Sequence, residues 1–208
     1  MLQFSTIKPA TLDLLKKLMS IPELNKFYLV GGTNLSLRYG HRLSIDLDLF
    51  SVDDFDKEEI ISVLEKNFTD ESFKRDANPV GIFAMINGIK VDLVRHHNFK
   101  QIQEAIIEDG IRMFNDKDII AMKLFAILRR GQKKDFWDIV ELSKKYSIEE
   151  MISFYKLKYP DNMILISIPS SLIYFEDAET TEDPISLKGQ TWEQIKKELR
   201  FKVREFLS

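Results

Sequence analysis

Apolar positions along this chain repeat with two different periods, and the switches between them mark the elements. Over residues 9–21, Leu12, Leu15, Leu18 and Met19 recur at helical spacing. Residues 27–30 form a short β-type run that stops at Gly31-Gly32. Residues 33–39 predict a helix with Leu35 and Leu37 partly buried, closed by Gly40. Residues 44–50 alternate strictly, with Ile45, Leu47 and Leu49 on one side and Asp46 and Asp48 on the other. Period two predicts a strand. A helix follows over 56–67. The β-branched runs 80–86 and 89–94 are joined by Asn87-Gly88, a strong hairpin signal. After His96-His97 the character changes. Residues 116–130 carry Ile119, Ile120, Phe125, Ile127 and Leu128, and 134–146 carry Phe136, Trp137, Ile139, Val140 and Leu142. Both predict helices, as do 148–159 and 191–206. The pattern divides the chain into a mixed core, 1–100, and a helical lobe, 101–208. The junction near 98–115 either separates two units or lies inside one compact body.

A length of 208 residues suits one large domain or two small ones. Lys and Arg number 30 and Asp and Glu 33, a net charge of −3. That excludes a uniformly basic nucleic-acid coat but leaves room for a local basic groove. There is no cysteine, which excludes a disulfide framework, a thiolate zinc site and a cysteine nucleophile. His41, His96 and His97 lack zinc-ligand spacing, and no Gly-x-Ser-x-Gly or Walker-type motif occurs. The first twenty residues lack the ordered regions of a signal peptide. The longest apolar stretches fall short of the ~20 residues of a membrane helix. A soluble, cytoplasmic protein without a membrane partner is expected.

Against that background a few residues carry chemistry. Gly31-Gly32-Thr33 lies at a strand-to-helix turn, where backbone N–H groups and a helix N-terminus can meet phosphate. Asp46 and Asp48, two apart on a strand, project from one face. Their repulsion becomes binding energy once a divalent cation sits between them. Asp92, on the hairpin's return strand, joins them if that strand pairs beside theirs. Three converging carboxylates suit a two-metal phosphoryl-transfer site. Lys123 stands in an apolar helical stretch, where a lysine either snorkels to solvent or meets an anion. Asp135 and Asp138 share a helix face. His41-Arg42 caps the turn after Gly40 or neutralises phosphate. Arg129, Arg130, Lys133 and Lys134, with Lys196, Lys197, Arg200, Lys202 and Arg204 of the last helix, form the candidate patch for a polynucleotide backbone.

These residues resemble a known family. The stretch 28–50, from Tyr28-Leu29-Val30-Gly31-Gly32-Thr33 through Ser44-Ile45-Asp46-Leu47-Asp48-Leu49-Phe50, is similar to the first motif of the AbiEii/AbiGii-type nucleotidyltransferase toxins. Val91-Asp92-Leu93 resembles their second motif. Asp118-Ile119-Ile120-Ala121-Met122-Lys123-Leu124, Arg129 and Lys134-Asp135-Phe136-Trp137-Asp138 resemble their third. Residues 172–179 and Thr191-Trp192-Glu193 resemble their C-terminal segment, so the likeness covers nearly the whole chain. It implies an α+β fold: a mixed nucleotidyltransferase sheet with flanking helices, followed by a mostly helical C-terminal lobe. It implies Mg²⁺-dependent transfer of a nucleotide from an NTP to an acceptor hydroxyl, with one or two ions. Members act as toxins of toxin–antitoxin or phage-defence pairs, and some modify the tRNA acceptor end. The implied partners are therefore an NTP, an RNA such as tRNA and a cognate antitoxin. Carried over, Asp46, Asp48 and Asp92 hold metal and Gly31, Gly32 and Thr33 line the triphosphate. Lys123, Arg42 and Arg129 bind the nucleotide, and Asp135 or Asp138 completes the site. Polar Asn34 and Ser36 stand where many relatives carry Ala or Gly, which leaves the base preference open. The competing readings are nucleotidylation of a protein or small molecule, and a non-enzymatic RNA- or protein-binding module.

Overall fold

In the computed structural model residues 1–69, 71–73 (backbone only), 80–96 and 101–208 are described; His97 lies outside them. The strands are β1 (Tyr28–Leu29), β2 (Leu47–Ser51), β3 (Glu71–Phe73), β4 (Gly81–Ile86), β5 (Ile89–Arg95), β6 (Ile106–Glu108) and β7 (Ile111–Met113). Among the described residues they make one mixed seven-stranded sheet in the order β3-β4-β5-β2-β1-β7-β6. β2 runs parallel to β5 and antiparallel to β1. The β4–β5 hairpin turns at Asn87 (φ 51°) and Gly88 (φ 71°), the two positive φ values that an Asn-Gly hairpin uses.

Two strands beyond residue 100 were not expected. β6 and β7 turn at Asp109 (φ 51°) and Gly110 (φ 77°), and β7 pairs in parallel with β1. At three residues each they are too short to display a period. The sheet therefore continues past the 100/101 division, and helices take over only at Asp116. The strand expected over 44–50 begins instead at Leu47, and Ile45, expected on its apolar side, is 61 % exposed.

The helices are α1 (Pro9–Ser20), α2 (Gly31–Tyr39), α3 (Lys57–Asn67), α4 (Asp116–Arg129), α5 (Lys133–Leu142), α6 (Ile148–Lys158), α7 (Ile168–Leu172), α8 (Glu176–Glu179) and α9 (Trp192–Leu207). Local chemistry fixes their ends. Asp56 caps α3 by accepting from the N–H groups of Glu58 and Glu59. Ser147 with Glu150, and Thr191 with Gln194, form capping boxes on α6 and α9. Gly40, at φ 63°, ends α2.

Period two sorts the strand residues between two cores. Leu47, Leu49, Val91 and Leu93 pack with Leu15 and Leu18 of α1 and Ile60 and Leu64 of α3. Tyr28 and Phe50 leave the other face and meet the core of the helical half, built on Ile119, Leu124, Phe136, Trp137, Trp192 and Leu199. α2 gives Leu37 to the first core and Leu35 to the second. It is thereby held at the seam, with its N-terminus beside β2. No helix of the described residues is long and apolar enough to cross a membrane.

His96 follows β5, buried with its ring centroid 5.6 Å from Phe50 and 6.3 Å from Tyr159. Burial, then the charge of Lys158, pushes its pKa down to about 3. The folded protein keeps this ring neutral, while the unfolded chain protonates it at its ordinary value of 6.5. Its contribution to stability is therefore complete above pH 6.5 and is lost as pH falls toward 3. At pH 5 the loss is about 2 kcal/mol. Urea unfolding at pH 7 and pH 5 should show this extra loss in the wild type and not in His96→Gln.

Candidate active site

The parallel pairing of β2 with β5 sets Asp48 directly opposite Asp92. Both point to the face that Leu47, Leu49, Val91 and Leu93 avoid. Burial, and then the charge of Asp92, raise the Asp48 carboxyl above its ordinary range, against the pull of Lys90 and Lys123. Asp92 Oδ2 accepts from Lys90 Nζ at 2.6 Å, while its Oδ1 is buried with no hydrogen-bond partner among the described residues.

Gly31 opens α2 against this pair at φ 69°, and a Cβ built there would lie 2.5 Å from Asp48 Oδ2. No side chain caps the N-terminus of α2 among the described residues, so its free N–H groups and positive end lie beside the acids. Gly31→Ala should cost about 1–2 kcal/mol from the left-handed backbone alone. It should also displace Asp48, which a thermal melt together with a turnover assay would read.

Asp46, expected to share a strand face with Asp48, and Thr33, expected to line the triphosphate, are placed differently. Asp46 precedes β2 instead of lying on it. Its charge reaches Asp48 behind burial and the charges of Asp92, Lys90 and Lys123. Thr33 is buried, with Oγ1 donating to the Asp46 carbonyl at 2.5 Å and lying 2.8 Å from Ser44 Oγ. It pins the approach to β2. Among the described residues no three His, Asp or Glu side chains gather to hold a metal ion. The registered pair nevertheless fits a Mg²⁺-type cation, which uses one or two carboxylates and completes its shell with water and phosphate. The unpartnered oxygen on Asp92 and the raised carboxyl on Asp48 are the marks of that fit.

Beside the pair lies a buried charge cluster. Asp138 on α5 accepts from Arg42 through two bonds, Nε to Oδ1 at 2.7 Å and Nη2 to Oδ2 at 2.9 Å. His41 Nε2 lies 2.7 Å from the same Oδ1. Lys123 Nζ, from α4, reaches Asp138 Oδ2 at 2.6 Å and Asp135 Oδ1 at 2.9 Å. Burial alone would raise the Asp138 carboxyl, but Arg42, Lys123 and His41 hold it well below its ordinary range. Burial likewise opposes the charge on Lys123, and Asp135 and Asp138 outweigh it. The lysine in its apolar helix thus meets an anion, and the anion is a pair of carboxylates. Gly32 serves this cluster, since a Cβ there would collide with Arg42 Nη2. The two groups adjoin: Lys123 acts on Asp48, and Asp46 acts on Arg42.

Other expected cations are drawn elsewhere. Arg129 stacks on Phe125 at 4.6 Å and makes no polar contact with the acids among the described residues. Arg130 leans on Asp135 at 3.4 Å. Lys133 pairs with Asp183, and Lys196 with Glu179 and Glu193. Arg200 lies over Phe175. Three of the nine expected patch cations, Arg130, Lys133 and Lys196, are thus paired with acids.

Lys134 is the residue whose place the sequence did not reveal. It stands half-buried in the first turn of α5, with no hydrogen bond or ion pair to any described residue. Burial and then Lys123 lower its pKa, while Asp135 and Asp46 pull it upward. It is an uncommitted cation at the edge of both clusters. The one signal was its spacing, immediately before Asp135 and one helical turn before Asp138.

The family described as nucleotidyl transferase AbiEii toxin of type IV toxin–antitoxin systems matches residues 13–205. An Aquifex aeolicus (strain VF5) protein, aq_aa25, is 34 % identical over 206 residues, covering 97 % of this chain and 98 % of its own. The crystal structure of JHP933 from Helicobacter pylori aligns with a TM-score of 0.58 at 19 % identity, over 96 % of this chain and 92 % of that one. MenT4, a nucleotidyltransferase toxin from Mycobacterium tuberculosis H37Rv, aligns with a TM-score of 0.54 at 14 % identity, over 91 % and 81 %. At those identities the solved structures establish the shared fold.

Proposed function

Since the chain belongs to the AbiEii nucleotidyl transferase toxin family, and is a nucleotidyltransferase, we propose that Asp48, Asp92 and the N-terminus of α2 form its catalytic centre. The observation that carries this reading is the registered Asp48–Asp92 pair beside an uncapped helix N-terminus. A divalent cation such as Mg²⁺, held by Asp48 and Asp92 with Asp46 close by, would neutralise the triphosphate there. The free N–H groups at the start of α2 donate to its phosphate oxygens, and Lys134 supplies the mobile cation. Lys123, Arg42, Asp135 and Asp138 form the rigid wall that fixes this geometry. The acceptor hydroxyl attacks the α-phosphorus in line, a new O–P bond forms, and pyrophosphate leaves. Asp92 takes the hydroxyl proton and passes it to solvent.

The acceptor we favour is an RNA 3′ end such as that of tRNA, in the cytoplasm, with an antitoxin restraining the activity. The support is the family's toxin–antitoxin setting. Incubation with labelled NTPs, Mg²⁺ and total cell lysate should place label on RNA, sensitive to ribonuclease. Label on protein would move the acceptor to a hydroxyl side chain, and no label with any NTP would count against transfer. Expression in bacteria should arrest growth, and expression of the Asp48→Asn variant should not. Equal growth with both proteins soluble would remove the toxin role while leaving the chemistry standing.

A further inference from the structure

Lys90 and Asp92 are two apart on β5, so they leave the same face of the sheet. The ammonium sits 2.6 Å from Asp92 Oδ2. The Lys90 side chain is 50 % exposed and that of Asp92 only 12 %. Among the described residues Lys90 is the only cation in direct contact with either acid of the registered pair. Lys123, the other lysine whose charge reaches Asp48, is already bound by Asp135 and Asp138.

We propose that Lys90 is the built-in counter-ion of the acid pair, and that a divalent cation binding the pair competes with its ammonium. The proposal rests on the reading of Asp48 and Asp92 as the metal-binding acids. Two facing carboxylates with a third nearby need positive charge, and in the cation-free protein Lys90 provides it at one oxygen. A dication at the same carboxylate repels an ammonium with twice the force of a unit charge. The lysine stem is flexible and half in solvent, so the head can leave without disturbing β5. The exchange therefore weakens cation binding without forbidding it. Once displaced, the ammonium remains tethered beside the site and can follow the phosphates of an incoming nucleotide. The chain would then hold a cation weakly alone and firmly with NTP, keeping the two arrivals linked.

Calorimetric titration of Mn²⁺ into the nucleotide-free protein tests this directly. Lys90→Met and Lys90→Gln should bind Mn²⁺ about five-fold more tightly than wild type, the upper range for a partly exposed ion pair. Lys90→Arg, which keeps the charge, should bind as wild type does. Asp48→Asn should lose the site whether it is made alone or combined with Lys90→Met. If Asp48→Asn retains wild-type Mn²⁺ affinity, the metal reading itself fails. If it loses the site while Lys90→Met and Lys90→Gln bind no more tightly than wild type, the displacement of Lys90 is overturned.

Discussion

Asp138→Ala is expected to cost about 3–5 kcal/mol of folding free energy and to leave almost no transferase activity. The carboxylate is buried and receives both prongs of Arg42, the ammonium of Lys123 and the ring of His41. Removing it strands two buried cations on one remaining acid, Asp135, which touches only Lys123 of the two. Such a loss exceeds what a buried pair contributes, because the desolvation cost of the orphaned charges is left uncompensated. Urea denaturation with activity measured in parallel gives both numbers. A double-mutant cycle with Arg42→Met separates them, since removing both partners should cost less than the sum of the single changes. A single-variant loss below about 1 kcal/mol would mean that Arg42 and Lys123 find other partners. The same cluster predicts an acid limit. Asp138 has a depressed carboxyl, so its contribution is present above its ordinary range and is lost as pH falls through the lowered value.

The elements with a strong local signature were readable from the sequence. Asn87-Gly88 dictates its hairpin through backbone conformation alone, and the alternation at Leu47, Asp48 and Leu49 dictates which face each residue takes. The pairing of Asp48 with Asp92 could be foreseen as a condition: it follows if β2 and β5 are neighbours, and they are. The assignment of partners to the buried cations could not be foreseen. Arg42 and Asp138 are 96 residues apart and meet only because α2, the turn after it and α5 pack together. Phosphate and carboxylate are equally good anions for Lys123, and only tertiary packing brings Asp135 and Asp138 to it. Gly32 likewise reads as a phosphate glycine until Arg42 is seen passing over it. Lys134 was hidden inside a run of cations whose fates diverge completely: Arg130 to Asp135, Lys133 to Asp183, and Lys134 to no partner among the described residues.

Asp48→Asn should separate activity from stability in opposite directions. Transfer should fall on the order of 10³-fold, the scale of losing one preorganised electrostatic group. Stability at neutral pH should rise instead. Asp48 stands opposite Asp92 on a neighbouring strand, and facing like charges cost about 0.2–1 kcal/mol. Burial first, and Asp92 second, raise its carboxyl in the folded protein, whereas the unfolded chain does not feel either. An ionised Asp48 therefore weakens the fold above its raised value, and the penalty disappears as pH falls through that value and the group takes a proton. Asn carries no charge at any pH and is free of the penalty throughout. Thermal melts without added metal should place the variant about 1–4 °C above wild type at pH 7.5, with the difference closing as pH falls toward the ordinary carboxylate range. Millimolar Mn²⁺ should reverse the order, because wild type alone retains both acids to bind it. A variant that melts below wild type at pH 7.5 without metal would mean that the charge on Asp48 is already neutralised within the protein, and that the pair is not held ready for a cation.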